Sequence, residues 1–215
     1  MISDAADAPI LTIRCLNADD SAEYRMLRQR ILKSADARYF SDSYERERLL
    51  TDQEWQDWCV ETSAHCILGT FANSELVGII MITRQGGDES PLVEWEAAWL
   101  DPSYRRTGIG KRSYEMARRW SISQGYKFVV GFIRATYTPA LNICKDLGFI
   151  YAYTVEDELW ADGSVADIHA FLLDMRSEGA PKTSNPAFHQ FKEVYPYLKN
   201  GWHAPPLDES QQEVA

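Results

Sequence analysis

The sequence predicts a mixed α/β domain built on one central sheet, and three observations carry that prediction. Apolar, β-branched runs alternate with stretches of helical periodicity along most of the chain. An apolar run at 92–100 feeds a loop with two glycines and then an amphipathic stretch, and a shorter apolar run follows at 128–133. At 215 residues, with 45% hydrophobic and 12% aromatic content, the chain suits one domain with a substantial core.

The elements follow in order. Residues 10–16, Ile-Leu-Thr-Ile-Arg-Cys-Leu, have the bias of a first strand, and Asn17, Asp19 and Asp20 offer caps to the helix behind it. From Ser21 to about Lys33, Tyr24, Leu27, Ile31 and Leu32 recur at helical spacing. The stretch through Phe40 and Tyr44 is less regular, and Thr51-Asp52-Gln53-Glu54 then reads as a capping box opening a helix with Trp55 and Trp58. Two apolar runs, 66–71 and 76–82, flank Ala72-Asn73-Ser74-Glu75 as a hairpin. A polar loop at 84–91 leads into the strand 92–100. Ile109, Met116, Ala117 and Trp120 mark the buried face of a helix stopped near Gly125, and Phe128 to Ile133 is a strand of the type covered on both faces. Pro139 opens another helix, which Gly148 stops. Residues 149–155 and 167–175 are expected as final strands around an acidic loop, 157–167.

The junction Arg105-Arg106-Thr107-Gly108-Ile109-Gly110-Lys111 carries the chemistry that can be read locally. Gly108 and Gly110 remove two Cβ atoms where the chain turns into a helix, so backbone N–H groups can approach a ligand. A helix start has unpartnered N–H groups and the positive end of the macrodipole, which together favour a phosphate. Arg105, Arg106, Lys111, Arg112, Arg118 and Arg119 crowd this stretch against only Glu115, although the chain carries a formal net charge of −10. That local reversal of sign favours a pyrophosphate or nucleotide.

Arg105-x-x-Gly108-x-Gly110 resembles the Arg/Gln-x-x-Gly-x-Gly/Ala signature of the GNAT acetyltransferase superfamily. The flanks strengthen the likeness: Leu100-Asp101-Pro102-Ser103-Tyr104 leads in, and Pro139-Ala140-Leu141 and Leu147-Gly148-Phe149 follow at the family's usual distance. The resemblance implies a mostly antiparallel central sheet flanked by helices, splayed between the fourth and fifth strands, over residues 10–176. Residues 1–9 are then a flexible N-terminus and 177–215 a C-terminal extension holding Phe188, Phe191, Tyr195, Tyr197 and Trp202. It also implies acetyl-CoA as co-substrate, with the backbone of Trp99 and Leu100 meeting the pantetheine arm. Arg106, Thr107, Gly108, Ile109, Gly110 and Lys111 would meet the pyrophosphate, behind the signature Arg105, and Asn142 is a further candidate cofactor contact.

Acetyl transfer to an amine needs a base for the attacking N–H and an acid for the departing thiolate. Glu94 and Glu96 stand two apart on an extended segment and share a face unless a bulge intervenes; Trp95 and Trp99 are expected on the opposite face. Family members use a strand glutamate in this role. They commonly carry a tyrosine where this chain has Cys144, and an asparagine where it has Tyr137. Cys144 is a candidate acid, since a free thiol titrates near about 8.5, and also a candidate core residue. Tyr137, Tyr151 and Tyr153 are unranked alternatives, while His65 and His169 are substrate ligands or hydrogen-bonded structural histidines.

Composition narrows the partners. The acidic balance argues against a nucleic-acid-binding surface, no apolar run is long enough for a membrane span, and the acidic first residues do not resemble a signal peptide. A cytoplasmic protein is the expectation. The four cysteines, 15, 59, 66 and 144, have no paired spacing, so a reduced protein without a metal is the simplest reading. The aromatic extension reads as a tail packed on its own domain, with a lid or a homodimer contact as the sharper alternative. The expected activity is acetyl transfer to a primary amine of a small molecule or peptide. A longer acyl-CoA donor, or a CoA-binding interaction protein that has lost catalysis, remains open.

Overall fold

A computed structural model describes residues 9–160, 162–176 and 194–198. The chain begins with β1 (Leu11–Cys15), whose exit carries a capping box of Asn17 and Asp20 on a short 3-10 turn. Helix α1 (Ser21–Leu32) follows, then a second 3-10 turn at 35–39. Two short helices come next, α2 (Tyr44–Glu47) and α3 (Asp52–Trp58), the latter opened by the Thr51/Glu54 capping box. The hairpin of β2 (His65–Ala72) and β3 (Glu75–Arg84) turns at Asn73, which takes a positive φ of 52°. Asparagine tolerates that conformation, which explains a tight turn without glycine. Then come β4 (Leu92–Leu100), α4 (Ile109–Ser123), β5 (Phe128–Arg134), α5 (Thr138–Leu147), β6 (Ile150–Leu159), β7 (Val165–Asp174) and, in the described part of the tail, α6 (Tyr195–Leu198).

The seven strands form one sheet in the order β1-β2-β3-β4-β5-β7-β6. Every neighbouring pair is antiparallel except β4 and β5. That parallel pair keeps register only through Leu92–Phe128, Val93–Val129 and Glu94–Val130, after which the strands part. The splay expected between the fourth and fifth strands therefore starts at Glu94.

Two layers cover the sheet. On the front, α1 and α3 bury Tyr24, Leu27, Ile31 and Trp55 against Ile67, Phe71 and Ile79. Farther along the same face, Val194 and Leu198 pack among Leu92, Phe128, Val130 and Leu172. On the back, Ala117 and Trp120 of α4 close over Cys66, Leu68, Ile80, Val93 and Trp95. The aromatic residues Phe188, Phe191 and Trp202 lie outside the described residues, as do residues 1–8.

Two expectations need correction. Trp95 does point to the back, but Trp99 shares the front face with Glu94 and Glu96. Register passes from Met81–Glu96 to Ile79–Trp99, so one extra residue sits in β4, and Ala97 takes a φ of 49°. Such a bulge re-phases the alternation of side chains. The acidic loop is also shorter than expected: β6 runs on to Leu159, with Asp157 at φ 55° and a shifted register between Val155 and Glu158. No helix among the described residues is long and apolar enough to cross a membrane.

Candidate active site

The donor end is built at the far end of β4. Asp101 caps a 3-10 turn at 102–104 by accepting from the Ser103 N–H at 2.9 Å, and Thr107 donates to the Tyr104 carbonyl at 2.6 Å. Arg106 turns through φ 61° and Gly108 through φ 85°, delivering the chain to the start of α4. The Arg112 N–H reaches the Gly108 carbonyl at 3.2 Å, so the N–H groups before it on the helix have no intrahelical partner. A Cβ built on Gly108 would meet nothing within 4 Å, and one on Gly110 would meet only Leu100 Cδ2 at 3.9 Å. Open space over a row of free N–H groups suits a polyphosphate.

The six clustered cations divide into two groups. Arg105 turns inward: Nε donates to the Leu100 carbonyl at 2.8 Å and Nη2 to Asp36 at 2.7 Å, with the guanidinium 5.7 Å from the Trp99 ring centre. Trp99 Nε1 donates to the same Asp36 oxygen at 2.8 Å. Burial works against the Asp36 charge, but the hydrogen bonds from Arg105 and Trp99 hold its carboxyl below the ordinary range. Arg105 thus braces the loop. Arg119 pairs with Glu115 at 3.3 Å, and Arg118 lies 3.4 Å from the Met175 carbonyl. Among the described residues Arg106, Lys111 and Arg112 form no ion pair and remain exposed around the helix start.

The other end is a cavity of about 310 Å³ on the front of the sheet, reaching across the gap between β4 and β5. Glu94 and Glu96 lie on its wall with His65, Asp42, Arg28 and several aromatic rings. Glu94 is 8% exposed and accepts from Gln85 Nε2 at 2.6 Å. Burial, and next the nearby Glu96, push its proton affinity well above that of an ordinary carboxylate. Burial raises that of Glu96 as well, against the pull of His65 and Arg28. Both carboxyls are thus better proton acceptors when ionised than an ordinary carboxylate.

An open helix start thus lies past one end of β4, and the Glu94–Glu96 carboxylates line a cavity toward the other. The family model for the Acetyltransferase (GNAT) family matches residues 29–149. The chain belongs to the GNAT family of acetyltransferases. No curated protein matches it by sequence. Solved GNAT structures share the fold: a GNAT acetyltransferase from Streptococcus pneumoniae is similar at a TM-score of 0.68 and 19% identity, covering 77% of this chain and 99% of that one. A putative acetyltransferase from Salmonella typhimurium, solved with its cofactor acetyl-CoA, gives 0.63 at 16% identity over 81% and 99%. The ribosomal-protein-S18-alanine N-acetyltransferase from Escherichia coli gives 0.58 at 15% identity over 81% and 100%.

Within this GNAT frame the remaining candidates separate. Cys144 is 7% exposed on α5, and burial pushes its thiol up to about 12. Tyr137 caps the start of α5, stacked on Tyr39 with ring centres 3.7 Å apart, and burial raises its phenol. Tyr114 of α4 has its phenol raised first by burial and then by Cys144 and Tyr137, and its ring lies 6.0 Å from that of Trp95; nothing in its helical spacing distinguished it from core. Asn142 is exposed on α5. Tyr153 is buried on the front, its phenol pushed up to about 12 by burial and next by the charge of Glu94, whereas Tyr151 is exposed on the back. His169 joins Tyr151 on the back and meets Thr154 Oγ1 at 2.9 Å, away from the carboxylates. His65 lines the cavity with both ring nitrogens engaged, by the Trp58 carbonyl at 2.9 Å and Thr83 at 3.4 Å. Far from both ends, on the back, the ligand atoms of Cys15, Cys66 and Glu61 lie within 4.8 Å of one another, a grouping that sequence spacing did not disclose.

Proposed function

We propose that this GNAT protein is an N-acetyltransferase that moves the acetyl group of acetyl-CoA to a primary amine of a small molecule or peptide by direct attack. The observation that carries this reading is the pair of Glu94, buried, and Glu96, half-buried, where β4 leaves β5, with the open start of α4 at the other end of the same strand. Backbone N–H groups of 106–111, with the exposed Arg106 and Lys111, hold the pyrophosphate, and the β4 backbone past Glu94, no longer paired to β5, offers hydrogen bonds to the pantetheine arm. The amine enters from the front cavity as an ammonium. Glu94 or Glu96 takes its proton, the free amine attacks the thioester carbonyl, and the C–S bond breaks as the new amide forms. The departing thiolate takes a proton from Cys144, Tyr137 or Tyr114, of which the two tyrosines are half-buried and Cys144 is buried.

Calorimetric titration with acetyl-CoA tests the donor side: saturable binding is expected, and no binding at millimolar concentration overturns the reading. The pH–rate profiles of Glu94→Gln and Glu96→Gln test the base, and wild-type rate and profile in both variants would remove the carboxylates from the mechanism.

A further inference from the structure

The acceptor cavity holds polar donors that neither the carboxylates nor the fold itself uses. Arg28 of α1 is 3% exposed and lies against Glu47, 1% exposed, on α2. Arg28 Nε donates to Glu47 Oε2 at 3.2 Å and Nη2 to Oε1, while the guanidinium sits 5.2 Å from the Phe40 ring centre. That arrangement fixes the guanidinium and occupies two of its nitrogens. Nη1 is left buried without a partner. Trp160, just past the end of β6, has its Nε1–H in the same condition, although its ring is held 5.0 Å from the Arg134 guanidinium. Both residues line the cavity that Glu94 and Glu96 line. Among the described residues six buried side-chain polar atoms lack a partner, and Arg28 Nη1 and Trp160 Nε1 are the two donors among them that belong to residues lining this cavity; the lost hydration of such a donor is not repaid within the fold. Two at one cavity point to an acceptor group that arrives with the ligand.

The cavity also separates its charges. Carboxylates of Glu94, Glu96 and Asp42 suit an ammonium, and Asp42 shares its charge with Arg46 at 3.0 Å. Arg28 and Trp160 suit an oxygen. The rings of Phe40, Trp58, Phe132 and Trp160 leave an apolar wall for whatever else the molecule carries. We infer that the acetyl acceptor is an α-amino carbonyl compound, an amino acid or the first residue of a peptide, with its amine at Glu94 and Glu96, its carbonyl or carboxylate oxygen at Arg28 Nη1 and Trp160 Nε1, and an apolar or aromatic side chain. This rests on the amine acetyltransfer proposed above and narrows it.

The test is thiol release from acetyl-CoA by the full-length protein, with rates corrected for the free-base fraction of each amine. Phenylalanine, phenylalaninamide and phenylalanyl-glycine are compared with phenethylamine, which keeps the ring and the amine and lacks the carbonyl. At least one of the three carbonyl compounds is expected to exceed phenethylamine in kcat/KM by about 100-fold, because a site built to bond a polar group rejects the analogue without it. Preference for the free acid assigns a carboxylate, and preference for the amide or dipeptide assigns a peptide-like carbonyl. The Arg28→Met/Glu47→Met double variant removes both charges together, so neither is left alone in the core. It is expected to bring the ratio near one, with calorimetric acetyl-CoA affinity unchanged. Should that variant not fold, Trp160→Phe deletes one N–H and is expected to lower the ratio about threefold. A wild-type ratio near one, or binding of acetyl-CoA with no turnover of any α-amino carbonyl compound, overturns the inference while the donor side stands. Failure to bind acetyl-CoA fails the proposed function first.

Discussion

The two ends of β4 that we propose as donor and acceptor sides are built by different means. The donor end is made of backbone: free N–H groups at a helix start, a glycine at φ 85°, and cations that remain in water. The acceptor end is made of side chains from helices, loops and five of the strands, most of them half-buried and most of them acidic or aromatic. A backbone site tolerates loss of a side chain and suffers from a changed dihedral angle. A side-chain site does the reverse. Substitutions at the two ends should therefore fall in different kinetic parameters.

The largest effect is expected at the acceptor end. Glu94→Gln keeps shape and burial but removes one of the two proposed bases, so kcat should fall by about 100-fold or more if Glu94 is the one used, with acetyl-CoA affinity held by calorimetry. The same variant sharpens the comparison through stability. Glu94 binds its proton more tightly folded than unfolded, so between the unfolded value, about 4.3, and its raised folded value the wild type loses stability as pH rises. Chemical denaturation should find Glu94→Gln the more stable protein at neutral pH, with the gap closing below about pH 4.

Next comes the backbone of the donor end. Gly108→Val forces a β-branched residue toward φ 85°, and acetyl-CoA should bind about tenfold more weakly with kcat at saturation little changed. An equal loss in kcat would break the division between the two ends. Asp36→Ala releases both Arg105 and Trp99, and is expected to cost about 1 kcal/mol in stability and raise the KM for acetyl-CoA a few-fold. Because the Asp36 carboxyl is held low in the folded state, its contribution is complete above the unfolded value of about 3.9 and disappears as pH falls through the lowered one; wild type and variant should converge in acid. The smallest effect is predicted for Arg106→Ala, about two- to threefold in KM and fading in salt, since this cation stands in water.

The same contrast explains what the sequence made legible. The donor loop is contiguous, so Arg105, Gly108 and Gly110 and the helix behind them disclose it in one reading. The strand that carries Glu94 and Glu96, and their common face, followed from alternation alone. The Trp99 side did not, because the bulge rests on Ala97, a residue type that gives no warning of φ 49°. Asp36 could not be tied to Arg105 across 69 positions, nor Arg28 to Glu47 from the irregular stretch that contains α2. Cys15 and Cys66 come together because β1 pairs with β2, which spacing along the chain does not reveal. The acidic loop at 157–167 failed for a similar reason: pairing with β7 draws most of it into strand.

The bulge at Ala97 makes length in β4 count in whole steps. On its near side the strand offers carboxylates to the cavity; past the bulge, the same face offers the Trp99 ring to Asp36 and Arg105. Glu96 and Trp99 stand three apart and share a face only because of the extra residue: flattening the bulge without a deletion would send that ring to the α4 side and cut the brace from the loop, whereas removing one residue between them would restore strict alternation and leave the ring on the front. The bulge is thus what lets an odd spacing hold the Glu96 carboxylate and the Trp99 ring on one face.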